Sequence, residues 1–235
     1  KIVKGVRDFY DNRGYMEVET PVLQAVAGGA AARPFLTYHN ALEHQFHLRI
    51  SLELYLKRLI VGGLEKVYEI SRVFRNEGID TRHNPEFTLM ESYEAYADLD
   101  DIMQLVEELL QYLVKTLYGG TTFQYRDYTI DVAGPWRRLP ILQGIKEYAG
   151  IEPDAFNSLD TALKAMESLG LPTEKETMVG GIIEKIHERF VQPNLIQPTF
   201  ITDFPLETSP LAKKHQDDPN FVRRFEVYIA KQETG

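Results

Sequence analysis

Residues 67–96 read V-Y-E-I-S-R-V-F-R-N-E-G-I-D-T-R-H-N-P-E-F-T-L-M-E-S-Y-E-A-Y. β-Formers alternate with polar residues, which predicts one strand from Val67 to Arg75 and a second from Phe87 to Tyr96. Between them, Asn76 to Pro85 carries glycine and Asn-Pro loop signals. A hairpin with a polar tip is the simplest geometry. Successive strand side chains point to opposite faces, so Glu69, Ser71, Val73 and Arg75 share one face, as do Phe87, Leu89, Glu91 and Tyr93. Set together, these residues put a guanidinium, two carboxylates, a phenol and a phenyl ring on one surface, and such groups are costly to bury without partners. A solvated hairpin would leave the charges in water. A charged ligand suits the face better.

The chain outside the hairpin can support a large domain, or a domain with an insertion, because 235 residues with 43% hydrophobic content bury a sizeable core. It contains no cysteine, which excludes disulfides, thiolate metal sites and a cysteine nucleophile. No apolar run reaches the roughly 20 residues that span a bilayer, and no signal-like segment opens the chain, so a cytoplasmic protein is expected. The net charge of −9 argues against a nucleic-acid binder that relies on a broad basic surface. Any nucleic-acid contact is expected to be local.

Upstream of the hairpin, Ile2 to Asn12 has helical spacing with Ile2, Val6, Phe9 and Tyr10 on one stripe, stopped by Arg13-Gly14. A strand from Tyr15 to Glu19 runs into Thr20-Pro21. Residues Gln24 to Pro34 are small and rich in glycine and alanine, a composition that lets backbone approach a ligand and also describes a flexible loop. Ser51 is the expected N-cap of a helix from Leu52 to Val61, buried through Leu52, Leu56, Leu59 and Ile60 and closed by Gly62-Gly63. Glu53 in its first turn favours the helix dipole by a few tenths to about 1 kcal/mol.

Downstream, Asp98 to Leu117 is a long amphipathic helix, expected to lay its stripe on the sheet that carries the hairpin, and Phe123 to Val132 is a weak hairpin around Arg126-Asp127. Residues 139–191 change texture to short helical patterns joined by Gly, Pro and Asn. A strand resumes at Pro198 to Phe204. In the last stretch Phe225, Val227 and Ile229 share one strand face, with Glu226 and Tyr228 on the other. Glu226 and Glu233 are an odd number apart, so a turn or bulge near Ala230 to Gln232 is required if they act together. Two solvated glutamates are the ordinary alternative.

The phrases F-R-N-E-G, R-H-N-P-E-F-T and M-E-x-Y resemble motif 2 of the class II aminoacyl-tRNA synthetases that handle lysine, aspartate and asparagine. G-G-A-A-A-R-P-F (28–35) with H-N-A-L (39–42) narrows the resemblance to bacterial-type lysyl-tRNA synthetases. The resemblance implies an α+β catalytic domain built on a mixed, mainly antiparallel sheet flanked by helices. Residues 1–138 would be its first part, with motifs 1 and 2; 139–191 a helical insertion; and 192–235 its continuation. Motif 3 is expected beyond Gly235, and with the anticodon-reading barrel it falls outside the chain, so a catalytic-domain fragment is expected. The helix, strand and proline at 2–21 resemble motif 1, which implies a homodimer.

By the same resemblance, Gly29, Glu53, Arg75, Glu91 and Tyr93 bind the substrate lysine. Glu53 would receive the α-ammonium, and Glu91 and Tyr93 the ε-ammonium. Arg75 is the catalytic group, bridging the lysine carboxylate and the α-phosphate of ATP. Glu77, His83 and Phe87 complete the ATP site at the adenine amino group, the terminal phosphates and the adenine ring; Arg82 is left without a role. Glu226 and Glu233 would hold Mg²⁺ on the phosphates, and tRNA(Lys) would be the acceptor. Two alternatives stay open: a paralogue that attaches lysine to an elongation factor, and a noncatalytic interaction domain derived from a synthetase.

Overall fold

The computed structural model describes residues 1–80 and 83–234; Arg82 lies outside the described residues. The chain divides into two units, Lys1–Ala97 and Asp98–Gly235.

In the first unit α1 (Ile2–Asp11) buries Phe9 and Tyr10 and leaves Ile2 exposed. The aromatic residues cluster: Tyr10 stacks on the buried Tyr68 with centroids 5.1 Å apart and meets Tyr15 edge-on at 4.9 Å. The phenol tips of the outer two find acceptors, Tyr68 Oη donating to Asp11 at 2.7 Å and Tyr15 Oη to Glu94 at 2.5 Å. This cluster explains why β1 (Met16–Glu17) starts one residue after the expected Tyr15; it also ends at Glu17, short of the expected Glu19. The amide of Tyr15 turns back to the carbonyl of Tyr10, and its ring is committed to the core.

Next come β2 (Leu23–Gln24), β3 (Leu36–His39) and β4 (His44–Leu48), an antiparallel sheet in the order β2-β4-β3. The helix α2 (Glu53–Val61) begins one residue later than expected, with Leu52 rather than Ser51 at its N-cap. Ser51 Oγ still accepts the Glu53 amide at 3.1 Å, so the serine satisfies an orphan donor from just outside the helix. Leu52 and Leu56 are fully buried with Val67 and Val73, worth about 2 kcal/mol for each leucine. The hairpin is present as β5 (Lys66–Phe74) and β6 (Glu86–Glu94), antiparallel, with β1 parallel on the other side of β5.

The second unit opens with α3 (Leu99–Tyr118), capped by a reciprocal box between Asp98 and Asp101 and ended by Gly119 at φ 80°. β7 (Thr122–Tyr125) and β8 (Tyr128–Asp131) pair around Arg126, which adopts φ 53°. The unit's main sheet is β9 (Arg137–Pro140), β10 (Thr199–Pro205), β11 (Phe221–Ile229) and β12 (Gln232–Glu233), with β9 parallel to β10 and the rest antiparallel. Between β9 and β10 come α4 (Ile141–Ala149), α5 (Leu159–Ser168) and α6 (Val179–Ile186), the last continuing as a π-turn over His187–Val191.

These helices cover one sheet face, packing Ile145, Met166, Ile182 and Ile186 on Ile201, Phe204, Val222 and Tyr228. A bulge at Asp203, with φ 60°, brings Phe204 to the same side as Ile201 despite their odd spacing. The opposite face packs Phe200 and Val227 with Trp136, Ile130, Met103 and Val114. Met103 and Val114, flanked by Leu99, Val106 and Leu110, seat one side of α3 on this sheet, and Leu105 and Leu113 of the same helix are buried as well.

The architecture is α+β, with mixed, mainly antiparallel sheets and two parallel pairs, β1 with β5 and β9 with β10. No helix among the described residues is long and apolar enough to cross a membrane.

Candidate active site

The hairpin register sets Val67 opposite Tyr93, Glu69 opposite Glu91, Ser71 opposite Leu89 and Val73 opposite Phe87. Both glutamates therefore project from the same sheet face. Glu69 is taken up internally: Arg49 Nη1 lies 2.7 Å from its Oε1, and both side chains are 1% exposed. Glu91 has no such partner among the described residues. Its Oε1 accepts from Ser51 Oγ and the Leu52 amide, each at 3.1 Å, and its Oε2 from Tyr93 Oη at 2.9 Å. Arg72 instead faces Glu86 at 3.7 Å. Burial, and then the Glu91 carboxylate, push the Tyr93 phenol well above its ordinary range, so it stays a neutral donor.

Gly29 and Glu53 are drawn to the same place. Gly29 sits at φ 87°, and a Cβ there would fall 2.8 Å from Ser51 Oγ and 3.0 Å from the Glu53 Cβ. Only a residue without a side chain fits both the left-handed backbone and the contact. Glu53, on the first turn of α2, forms an i,i+4 pair with Lys57 at 2.5 Å. The negative charge of Glu53 also raises the Tyr93 pKa, which ties Glu53 electrostatically to the Glu91–Tyr93 pair.

Arg75 follows β5, its amide bonded to the Pro85 carbonyl at 2.8 Å, so the base of the loop is closed. Its Nε donates to the Ile50 carbonyl at 3.3 Å, and its guanidinium carbon lies 5.2 Å from the Phe87 ring centroid. No carboxylate pairs with Arg75 among the described residues. Glu77 and His83 stand farther out on the loop, both exposed. His83 Nδ1 is 2.7 Å from Asp80 Oδ2, and its amide donates to Asp80 Oδ1 at 2.8 Å.

In the second unit, β11 and β12 turn through Ala230 and Lys231, both at positive φ, and pair Tyr228 with Glu233. That two-residue turn puts Glu226, Tyr228 and Glu233 on one face despite the odd spacing of the glutamates. Glu226 accepts from Tyr228 Oη at 2.8 Å and pairs with Arg224. Burial raises the pKa of its carboxyl; Tyr228 and Arg224 pull it down, while Glu233 and Glu184 push it up. No group of three or more His, Asp or Glu side chains forms a metal cage among the described residues. A pair of carboxylates under mutual repulsion is nevertheless a donor set that a hard divalent cation fits, provided that other oxygen ligands complete its shell.

Two residues escaped the sequence reading. Ser51, expected only as a cap, also donates to Glu91. Arg49 was passed over, although an arginine between Leu48 and Ile50 is the kind of charge that needs an internal partner; its Nε donates to the Arg72 carbonyl at 2.8 Å and its Nη1 to the Thr20 carbonyl at 2.9 Å.

The family model described as "tRNA synthetases class II (D, K and N)" matches residues 1–235, and the chain belongs to that family. Among curated proteins it is similar to the lysine–tRNA ligase of Thermoanaerobacter pseudethanolicus, 51% identical over 235 residues, covering 100% of this chain and 47% of that protein. The lysine–tRNA ligases of Moorella thermoacetica and of Bacillus cereus strain B4264 are each 51% identical over 233 residues, covering 99% of this chain and 48% and 47% of their own lengths. The chain thus spans about half the length of the curated relatives that it matches.

Proposed function

We propose that the gene product carrying this chain is a lysine–tRNA ligase, which activates lysine with ATP and transfers it to tRNA(Lys). The observation that carries the reading is the pairing state of two side chains on the hairpin. Glu91 is a partly buried carboxylate held by three neutral donors, and Arg75 is a guanidinium without a carboxylate among the described residues. Lysine is complementary to both, with an ammonium for Glu91 and a carboxylate for Arg75. Its α-ammonium would meet Glu53 and the backbone at Gly29. An acidic substrate would set carboxylate against carboxylate at Glu91, which a water-poor site penalises.

In the proposed reaction a lysine carboxylate oxygen attacks the α-phosphorus of ATP in line. The new O–P bond forms as the bond to the β-phosphate oxygen breaks, and pyrophosphate leaves. Arg75 lies across lysine and α-phosphate, where its two-pronged fork steadies both anions and the charge that develops between them. Phe87 stacks on adenine, Glu77 accepts from the adenine amino group, and His83 meets the terminal phosphates. Glu226 and Glu233 would hold Mg²⁺, which neutralises phosphate charge when bound. Most of the rate would come from positioning two anions.

The assignment of residues 1–138 and 192–235 to the catalytic domain, with 139–191 as an insertion, belongs to the same proposal, as do a homodimer through the α1–Pro21 segment and a cytoplasmic location. Lysine-dependent exchange of pyrophosphate into ATP by the full-length gene product tests the reading. Exchange with lysine is expected. Its absence in a folded preparation would refute the proposal.

A further inference from the structure

The two carboxylates that stand opposite each other on the hairpin, Glu69 and Glu91, are answered by different kinds of partner. Glu69 receives a full opposite charge: Arg49 Nη1 at 2.7 Å on Oε1, with Thr20 Oγ1 donating to Oε2 at 2.6 Å. The rest of the Arg49 guanidinium is used up on the Thr20 carbonyl, the Arg72 carbonyl and Ser71 Oγ. Among the described residues Glu91 receives only neutral dipoles, from Ser51, Leu52 and Tyr93. Directly opposed side chains have Cβ atoms about 5 Å apart, so a net charge at one position is felt at the other. Without Arg49, Glu69 would add a second anion beside the ammonium position. Without Glu69, Arg49 would add a cation there.

We propose that Arg49 is a positioning residue of the ammonium subsite: by pairing with Glu69 it confines the charge of that subsite to the single carboxylate of Glu91. The inference rests on the lysine reading above and deepens it. Arg49 touches no substrate; it acts through Glu69 and sets the field in which Glu91 meets an ammonium. The network also binds Thr20, joining the segment that leads from α1 to strand β5. A lysine at position 49 would keep the charge but could not copy the planar fork that serves four residues at once.

The test is charge-paired mutagenesis in the full-length gene product, read by lysine-dependent pyrophosphate exchange and by melting curves. Glu69→Gln leaves the Arg49 cation unbalanced, and the lysine KM is expected to rise tenfold or more while the ATP KM stays within threefold of wild type. The double variant Arg49→Met with Glu69→Gln removes both charges. Replacing a buried ion pair by neutral side chains of similar size is commonly tolerated, and its lysine KM is expected to return to within threefold of wild type. Equal shifts of lysine and ATP KM in Glu69→Gln, or no recovery in the double variant, would overturn the proposal. So would failure of the double variant to fold, because the pair would then have a purely structural task. If Glu69→Gln alone does not fold, the double variant decides by the same criterion. A wild-type protein without lysine-dependent exchange would instead contradict the proposed function.

Discussion

Replacing Glu91 by glutamine is the most informative perturbation of the hairpin, because it keeps the shape of the side chain and removes only its charge. The carboxylate now accepts from Ser51 Oγ, the Leu52 amide and Tyr93 Oη. A glutamine oxygen can keep the first two, and its NH₂ can donate to the phenol, which reverses its role. The fold should therefore lose no more than about 1 kcal/mol, a shift of a few degrees in Tm. Substrate binding should lose far more. Truncating one partner of a buried, hydrogen-bonded charge pair costs about 2 to 5 kcal/mol. Glu91 is partly rather than fully buried, so the lower half of that range applies. At about 1.4 kcal/mol per decade, a loss near 3 kcal/mol lowers kcat/KM for lysine roughly a hundredfold. Steady-state pyrophosphate exchange at varied lysine and saturating ATP measures it. An unchanged kcat/KM with a large drop in Tm would refute the reasoning, since Glu91 would then serve the fold and not the ligand.

Other outcomes follow from the same geometry. Arg75→Ala should lower exchange by about three orders of magnitude or more with the circular dichroism spectrum preserved, as removal of a charge-stabilising donor in the transition state does; activity within threefold of wild type would contradict it. Gly29→Ala forces a Cβ to 2.8 Å from Ser51 Oγ at a positive φ, so the lysine KM should rise while the ATP KM holds, and equal changes in both would count against the contact. His187 is 3% exposed, neither ring nitrogen has a hydrogen-bond partner among the described residues, and burial pushes its pKa from 6.5 down to about 4. The unfolded chain therefore binds the proton first, and stability should fall as pH drops from about 6.5 to about 4, by up to about 3 kcal/mol. His187→Phe should flatten that part of the profile in urea titrations, and an unaltered profile would sink the explanation. If the α1–Pro21 segment forms a two-fold interface, sedimentation at micromolar concentration should give a dimer, and charged replacements at the exposed Ile2 and Val3 should weaken it.

What could be read from the sequence was whatever leaves a periodic trace. The hairpin faces and the turn demanded between Glu226 and Glu233 both come from parity rules that need no tertiary information. Arg49 left no such trace, because a charge that will be buried is written with the same letter as one that will be solvated. The burial of Met103 and Val114 beside Leu105 and Leu113 on α3 was hidden for a related reason. The helix's apolar residues cover more than one stripe, and only the partner surface selects among them. Glu53 looked like a dipole-compensating residue and is one, but its nearness to Gly29 depends on a backbone approach that composition merely permitted.

The central claim is that the hairpin face recognises an amino acid with a cationic side chain. Its most direct test is calorimetric titration of the full-length gene product with lysine, aspartate and asparagine in turn, in the presence of a non-hydrolysable ATP analogue. Saturable binding of lysine, with aspartate and asparagine at least a hundredfold weaker, is the expected result. Equal binding of the three, or a preference for aspartate or asparagine, would contradict the account.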